Sequence, residues 1–202
     1  DSRISSDAFA RRSAEVLSAS GIKVYIFPSL RPTPVLSYAV LKLGCIAGIN
    51  ITASHNPSAY NGYKAYWEDG AQLPPDHAKR VSDAMDSIDI FKDVPAPEKA
   101  DKSKIITVSD LIDEPYMECV LEQRVNPDAI TAVADDLRIV YTPLHGAGAV
   151  MVPEVLRRAG VKNLYTVDDQ MAPDGSFPTV YYPNPEFPEA FKLGIELAEK
   201  VS

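Results

Sequence analysis

One short stretch of the chain combines four side chains that could take part in catalysis. It consists of Thr52-Ala53-Ser54-His55-Asn56-Pro57 and, closely after it, Asn61-Gly62-Tyr63-Lys64. Together these segments supply a hydroxyl nucleophile, an imidazole, an amide and an ammonium group. The apolar run 45–51 before them is typical of a buried strand. Ser54 is therefore predicted to follow the carboxyl end of a strand, where open α/β sheets bind their ligands.

The neighbours of Ser54 allow three interpretations. A serine hydrolase would need a Gly-x-Ser-x-Gly elbow, but Ser54 has no flanking glycines and His55 is awkwardly close for an in-line base. A phosphoryl carrier fits better, because phosphoserine bears nearly two negative charges and needs donors such as His55, Asn56 and Lys64. The residue types alone also leave open an ordinary turn serine. Lys64 could equally be a solvated strand lysine, and Asn56 could simply fix the turn before Pro57.

Two arginines and one glycine-rich loop are further candidates for binding a phosphorylated ligand. Arg3 lies just before the first predicted helix, and Arg31 precedes a rigid loop with two prolines at 32–34. Either arginine could instead pair with an acid at the surface. The loop 145–148 (His-Gly-Ala-Gly) lies between a predicted strand and a helix, where backbone N–H groups can approach a phosphate. It matches no nucleotide-binding fingerprint, so nucleotide binding is not supported.

The composition indicates a globular protein with an acidic surface. The chain has 202 residues, of which 46% are hydrophobic and 24% charged, enough for one large domain or two small ones. The net charge of -8 argues against general binding to nucleic acid or anionic membranes. Cys45 and Cys119 show no zinc spacing and are interpreted as reduced, buried thiols. No apolar run would span a bilayer and no signal peptide leads the chain, so a cytoplasmic location is expected.

Hydrophobic periodicity and turn residues predict an α/β fold in which helices and strands alternate. Helices are expected over 5–21, 35–43, 75–90, 108–125, 150–159 and 188–201, and strands over 22–27, 45–51, 63–67, 137–141 and 163–167. The strand-helix-strand order from 22 to 51 implies a right-handed parallel crossover. The segment 93–104, rich in Pro, Lys and acidic residues, is predicted to be a surface connection near a domain boundary.

The serine stretch resembles the active-site serine loop of the α-D-phosphohexomutases, the family of phosphoglucomutases and phosphomannomutases. The closest part runs over 51–73, and later segments at 141–148 and 183–186 are similar in the family's order. The resemblance implies two three-layer α/β/α units with mixed, largely parallel sheets. They would be domain 1 over 1–100, with the phosphoserine loop, and domain 2 over 101–202, both incomplete.

By this resemblance Ser54 is a phosphoserine that donates its phosphoryl group to a sugar monophosphate. The bisphosphorylated sugar would reorient and return its other phosphate to Ser54, and it would also act as an activator. The resemblance assigns catalytic roles to Lys64 and His55 as well. It makes a phosphate oxygen on Ser54 a ligand of Mg²⁺, whose aspartate ligands would lie in an Asp-x-Asp-x-Asp-Arg loop beyond residue 202. The substrate-binding residues would be Asn56, Arg3 and Arg31.

The resemblance therefore implies an isomerase of carbohydrate metabolism, a phosphoprotein that interconverts hexose 1-phosphate and hexose 6-phosphate. An N-terminal strand, the aspartate loop and two later domains of the same polypeptide would complete it, so this chain alone is expected to be inactive. Two alternatives stay open: a non-catalytic module that binds sugar phosphates or a protein partner, and a phosphopentomutase-type member. The choice among glucose, mannose and pentose phosphates is also open.

Overall fold

The structure is a computed structural model that describes residues 1–202. Eight α-helices and six short strands alternate along the chain and fall into two compact units. The first unit comprises Ser5–Thr52 and Gly62–Ile112, and the second comprises Asp1–Ile4, Ala53–Asn61 and Asp113–Ser202. The serine loop thus belongs with the second half of the chain. The expected domains, 1–100 and 101–202, are two consecutive segments of the chain, whereas these compact units are each made of several segments. The expected division stays a prediction.

The helices of the first unit pack their small and branched residues against short strands. Its elements are α1 (Ser6–Ala19), β1 (Val24–Ile26), α2 (Thr33–Lys42), β2 (Ala47–Ile51), β3 (Tyr63–Trp67), α3 (Pro75–Met85) and β4 (Ile105–Thr107). Gly21, with a φ of 87°, follows α1 in the left-handed conformation that ends helices. Both α1 and α2 lie against β2, and the buried core includes Ala14, Val35, Ala39 and Val40.

The strands of the first unit form one parallel and one antiparallel pair. β1 pairs with β4 in parallel, and β2 pairs with β3 in antiparallel, from Ala47 opposite Trp67 to Ile51 opposite Tyr63. The parallel partner of β1 is therefore β4 rather than β2, the strand that the predicted crossover would place beside it. The segment predicted to be a connection ends at Lys104, and the three-residue strand β4 starts directly after it. A strand this short carries no alternation from which it could be predicted.

The second unit is built around the parallel pair β5 (Arg138–Tyr141) and β6 (Asn163–Thr166). Its helices are α5 (Pro127–Val133), α6 (Met151–Arg158), α7 (Asp168–Met171) and α8 (Lys192–Val201), while α4 (Asp110–Glu122) crosses the limit between the units. α8 lies against β5, and α6 lies against β6. The buried apolar residues of this unit include Met117, Leu144, Met151, Val161, Val167 and Phe177.

The α/β class predicted from the sequence is confirmed, with short and mostly parallel sheets. Most helices and strands lie within one to a few residues of their predicted limits, and β3 spans the predicted 63–67. The short helices α5 and α7 were not predicted. Cys45 and Cys119 are free thiols and are half-buried rather than buried. None of the helices has the length and apolar character needed to cross a membrane.

Candidate active site

The serine loop, residues 53–61, consists of two consecutive turns. The N–H of Asn56 donates to the carbonyl of Ala53 at 3.1 Å and closes the first turn, and the N–H of Tyr60 donates to that of Pro57 at 3.0 Å and closes the second. Ser54 occupies the first central position with a φ of 57°. Glycine is favoured there, and a residue with a side chain pays about 1–2 kcal/mol of strain. The loop thus holds its serine, which is exposed, in a conformation that local preferences disfavour.

A close backbone approach connects the two strands from which the loop emerges. The N–H of Thr52 donates to the carbonyl of Gly62 at 3.0 Å, which extends the β2–β3 ladder by one residue pair. A Cβ atom at position 62 would lie 2.8 Å from the carbonyl oxygen of Thr52. Only glycine therefore fits at this position without moving the backbone.

The imidazole of His55 lies close to the serine hydroxyl. The Oγ of Ser54 lies 3.3 Å from the Nδ1 of His55, and both residues are exposed. In the tautomer that carries its proton on Nε2, Nδ1 accepts a hydrogen bond from the hydroxyl. The distance exceeds the usual 2.7–2.8 Å or so of a hydroxyl hydrogen bond, as is common for catalytic contacts in unliganded sites. His55 can therefore exchange a proton with Ser54 despite its adjacent position.

Arg3 binds the inner side of the serine loop. Its Nη1 donates to the carbonyl oxygens of Pro57 at 2.9 Å and Tyr60 at 2.8 Å, and its Nη2 donates to those of Ser54 at 2.9 Å and Asn56. The side chain is buried, and burial lowers the pKa of Arg3, although a guanidinium stays charged in proteins. The group predicted to bind the phosphosugar thus holds the backbone of the loop in this structure.

Lys64 and Arg31 belong to the first unit. Lys64 is half-buried on β3 and stands opposite Asn50 in the ladder, so the two side chains share one face of the strand pair. Asn50 donates to the hydroxyl of Thr33 at 2.8 Å, at the first residue of α2. Arg31, two residues earlier, donates to the hydroxyl of Ser29 at 2.7 Å. The bond between Asn50 and Thr33 therefore brings the strand pair that carries Lys64 to the loop that carries Arg31.

The glycine-rich loop 145–148 begins with a buried histidine that is hydrogen-bonded through both ring nitrogens. His145 Nδ1 lies 3.1 Å from the carbonyl of Ala172, and Nε2 lies 2.9 Å from the hydroxyl of Thr179. Because a carbonyl oxygen only accepts, Nδ1 carries the proton and Nε2 accepts from Thr179. Gln170, which has no exposed surface, donates to the same hydroxyl at 2.9 Å and accepts from Thr142 at 2.6 Å. These bonds indicate a structural role for this loop.

Gln170, Thr142 and Thr179 were not singled out from the sequence. They are polar residues spread over 142–179, and no motif marks them. A buried glutamine with both ends of its amide bonded is recognisable only in the folded chain.

The residues present do not assemble a metal site. Across the chain, no group of three or more His, Cys, Asp or Glu side chains is placed to hold a metal ion. The Mg²⁺ that the resemblance implies stays a prediction.

Comparison with known proteins agrees with the fold and with the serine loop. Residues 1–91 match the phosphoglucomutase/phosphomannomutase α/β/α domain I, and residues 114–202 match α/β/α domain II. The chain belongs to the phosphoglucomutase/phosphomannomutase family. Both halves of the chain are covered, so the family holds for nearly its whole length.

Individual relatives carry names of several phosphosugar mutases. The chain is 35% identical to a probable phosphomannomutase of Haemophilus influenzae over 99% of this chain and 40% of that protein. It is 38% identical to a phosphoglucomutase of Staphylococcus epidermidis over 100% of this chain and 36% of that one. A solved putative phosphomannomutase from Thermus thermophilus superimposes with a TM-score of 0.75 at 28% identity, over 97% of this chain and 41% of the other. The chain thus spans about two fifths of these relatives or less.

Proposed function

We propose that Ser54 is the phosphoryl carrier of a sugar-phosphate mutase and that the full-length protein interconverts hexose 1-phosphate and hexose 6-phosphate. The observation that carries the proposal is the exposed Ser54 hydroxyl, set at a strained turn with His55 Nδ1 at 3.3 Å. An exposed, strained serine beside a proton acceptor is typical of a nucleophile. Membership of a family of phosphoglucomutases and phosphomannomutases adds the chemistry of phosphoryl transfer.

The proposed reaction begins with a phosphate on Ser54. A free hydroxyl of the sugar monophosphate attacks phosphorus and gives its proton to water, the bond between phosphorus and the sugar oxygen forms, and the bond to Ser54 Oγ breaks. His55 is placed to supply the proton that Oγ takes up as it leaves. After the bisphosphorylated sugar has turned around, Ser54 attacks its other phosphate and gives its proton to His55. The bond between that phosphorus and the sugar oxygen breaks, and the leaving sugar oxygen takes a proton from water. The carrier is restored, and the phosphate has changed position on the sugar.

Other residues would bind and stabilise the phosphoryl groups. Lys64 would balance the charge of the group in transfer, and Asn56 and Arg31 would contact the phosphosugar. Arg3 we assign to the loop backbone, because its Nη atoms donate there. Mg²⁺ on the Ser54 phosphate and activation by a bisphosphorylated sugar belong to the same proposal.

A pentose phosphate is the second candidate substrate. The chain is 35% identical to a probable phosphoribomutase of Schizosaccharomyces pombe over 98% of this chain. This identity equals that with the probable phosphomannomutase of Haemophilus influenzae. Assaying ribose 1-phosphate beside glucose 1-phosphate and mannose 1-phosphate with the full-length protein distinguishes the substrates. A non-catalytic module that only binds sugar phosphates would turn over none of them.

The test of the carrier role is Ser54→Ala in the full-length protein. Wild type treated with glucose 1,6-bisphosphate should gain the mass of one phosphate, and Ser54→Ala should gain none and lose mutase turnover while keeping its circular dichroism spectrum. Ser58→Ala, an exposed serine in the same loop, is the matched control and should behave as wild type. Turnover by Ser54→Ala at the wild-type rate would contradict the mechanism. The 202-residue chain alone should be inactive in the same coupled assay with Mg²⁺, because it carries no assembled metal site.

A further inference from the structure

We propose that Arg3 is the residue that positions the serine loop for phosphoryl transfer, and that it acts through backbone carbonyl groups rather than through the sugar phosphate. The proposal rests on Ser54 being the phosphoryl carrier. It makes Arg3 a positioning residue, since the bonds of both its Nη atoms go to main-chain carbonyl oxygens of the loop.

The two turns of the serine loop direct several carbonyl groups towards one point. The carbonyl oxygens of Ser54, Asn56, Pro57 and Tyr60 all lie at hydrogen-bonding distance from the Arg3 guanidinium. Such dipoles repel one another unless a cation stands between them. Hydrogen bonds from a charged donor are about twice as strong as neutral ones, and the rigid fork of a guanidinium fixes the direction of each. Without Arg3 the two turns would lose the group that holds them in this arrangement.

The contact with Ser54 bears directly on the nucleophile. Its φ of 57° is unfavourable for a residue with a Cβ atom, and the bond from Arg3 Nη2 to its carbonyl at 2.9 Å holds that peptide in place. When Ser54 relaxes to a negative φ, Oγ changes its direction and leaves Nδ1 of His55. The position of the hydroxyl therefore depends on a guanidinium that is not itself in contact with it.

Arg3 packs closely against a turn from the second half of the chain. Its guanidinium carbon lies 5.4 Å from the centre of the Phe177 ring, a cation–π contact. A Cβ atom at Gly175 would lie 2.5 Å from the backbone nitrogen of Ile4, so this turn approaches the Arg3 backbone as closely as glycine allows. The turn is tied to the glycine-rich loop, because the N–H of Asp174 donates to the carbonyl of His145 at 3.3 Å. The loop thus gains its fixed position from residues far away in sequence.

The burial and hydrogen bonds of Arg3 favour a role in positioning the serine loop over a role in binding the substrate. Arg3 is 3% exposed, and each of its Nη atoms, which carries two hydrogens, donates two bonds to the loop. Its Nε faces the carboxylate of Asp1 at 3.4 Å. A phosphate could take a hydrogen bond from Nη1 or Nη2 only by displacing a loop carbonyl.

The test uses Arg3→Lys in the full-length protein, with Arg12→Lys as the control. Arg12 is an exposed arginine of α1 that pairs with Glu15 at 2.8 Å, so its exchange removes a guanidinium away from the loop. Arg3→Lys keeps the charge but replaces the fork with a single ammonium. We expect kcat and the rate of Ser54 phosphorylation to fall about a hundredfold, the order that a misplacement of about 1 Å costs, with KM unchanged. Amide hydrogen exchange over 53–61 should become faster, and Arg12→Lys should match wild type in all these measurements.

Each alternative result overturns the proposal in a recognisable way. A raised KM with unchanged kcat would make Arg3 a substrate-binding residue. Equal rates of Ser54 phosphorylation in wild type and Arg3→Lys would overturn the positioning role of Arg3 and leave the carrier role of Ser54 intact. A wild-type protein that takes up no phosphate would overturn the carrier role of Ser54 as well. Phe177→Leu, which keeps Arg3 but removes the ring beneath it, covers the case in which Arg3→Lys fails to fold. The Phe177→Leu variant should show a smaller loss of kcat and of Ser54 phosphorylation rate. A wild-type rate in Phe177→Leu would contradict the idea that the Phe177 ring holds Arg3 in place.

Discussion

The hydroxyl of Ser54 and the imidazole of its neighbour His55 face each other, with Oγ and Nδ1 3.3 Å apart. Consecutive side chains on an extended strand would point in opposite directions. The positive φ of Ser54 bends the chain so that both side chains lie on the same side of the turn. The conformation that strains Ser54 is thus also the one that brings a proton acceptor to its hydroxyl.

His55→Ala in the full-length protein should slow the transfer of phosphate to Ser54. A positioned general base contributes a factor of about a hundred to ten thousand, so the single-turnover rate with glucose 1,6-bisphosphate should fall by at least about a hundredfold. Rapid-quench mass analysis of the phosphoprotein measures this rate. His77→Ala, in α3 of the first unit, is the control. A wild-type rate in His55→Ala would leave His55 only with a role in shaping the turn.

Lys64→Ala should also lower the rate of phosphoryl transfer, and should do so more than it lowers stability. An ammonium near the group in transfer stabilises its developing charge, and losing such a donor typically costs about a hundredfold or more in rate. Lys79→Ala removes an ammonium that pairs with Asp83 on the exposed face of α3 and serves as the control. If single-turnover rates of Lys64→Ala and wild type agree, Lys64 is a solvated strand lysine.

Strain at Ser54 can be measured by comparing two variants that both lack the hydroxyl. Ser54→Gly removes the Cβ atom that makes a φ of 57° unfavourable, whereas Ser54→Ala keeps it. The free energy of unfolding should be about 1 kcal/mol higher for the glycine variant. Urea denaturation of the two proteins gives the difference directly. Equal stabilities would mean that the turn relaxes once the hydroxyl is gone.

The fold of this chain could be predicted where local patterns are long or sharply bounded. Strand β3 carries aromatic residues between a turn glycine and an acidic turn, and its limits were predicted from that pattern. The pairing of β1 with β4 could not be predicted, since β4 has three residues and its partner lies about 80 positions earlier. Pairing at that separation depends on how the helices pack and leaves no local trace in the sequence.

The serine loop could be predicted as a site, but the work of its supporting residues could not. Ser54 and His55 are recognisable by their type and spacing. Arg3 instead acts on main-chain carbonyl groups more than fifty residues away, and any amino acid can supply a carbonyl. Its prediction as a phosphosugar ligand relied on its charge and on the family resemblance, and neither of these reveals bonds to main-chain carbonyl groups. The hydrogen bonds of His145 and Gln170 show the same limit, because polar residues of the core form their contacts only after folding.

Gly62→Ala should disturb the base of the serine loop. The new Cβ atom would lie 2.8 Å from the carbonyl oxygen of Thr52, so the two strands must move apart or break the bond between Thr52 N–H and Gly62 O. Overpacking of this kind costs about 1–3 kcal/mol, and mutase activity should fall with it. Gly194→Ala, in α8, is the matched control because its Cβ atom would meet only contacts at 4.0 Å. Thermal unfolding should show a lower midpoint for Gly62→Ala and an unchanged or higher one for Gly194→Ala.

Low pH should destabilise the turn from Asp174 to Phe177, against which Arg3 packs. The hydroxyl of Ser176 donates to the Asp174 carboxylate at 2.7 Å, and the N–H of Ser176 donates to it at 2.8 Å. These two bonds hold the pKa of Asp174 below its ordinary value, and the nearby His145 lowers it by a smaller amount. A lowered pKa in the folded state means that the unfolded chain binds this proton more readily. The stability that Asp174 contributes is therefore fully present above its unfolded pKa of about 3.9 and is lost as the pH falls through the lower, folded value.

Asp174→Asn separates this titration from the shape of the turn, because asparagine keeps an oxygen that accepts from Ser176 but carries no titrating proton. At pH 7 the wild-type chain should be the more stable of the two, since the carboxylate makes the stronger, charge-assisted bonds. The difference between their urea midpoints should shrink as the pH is lowered from about 5 to about 3. The protection factor of the Ser176 amide against hydrogen exchange, taken relative to the intrinsic rate at each pH, should fall over the same interval in wild type only. A difference in midpoint that stays constant with pH would show that Asp174 supports the turn by shape and not by charge.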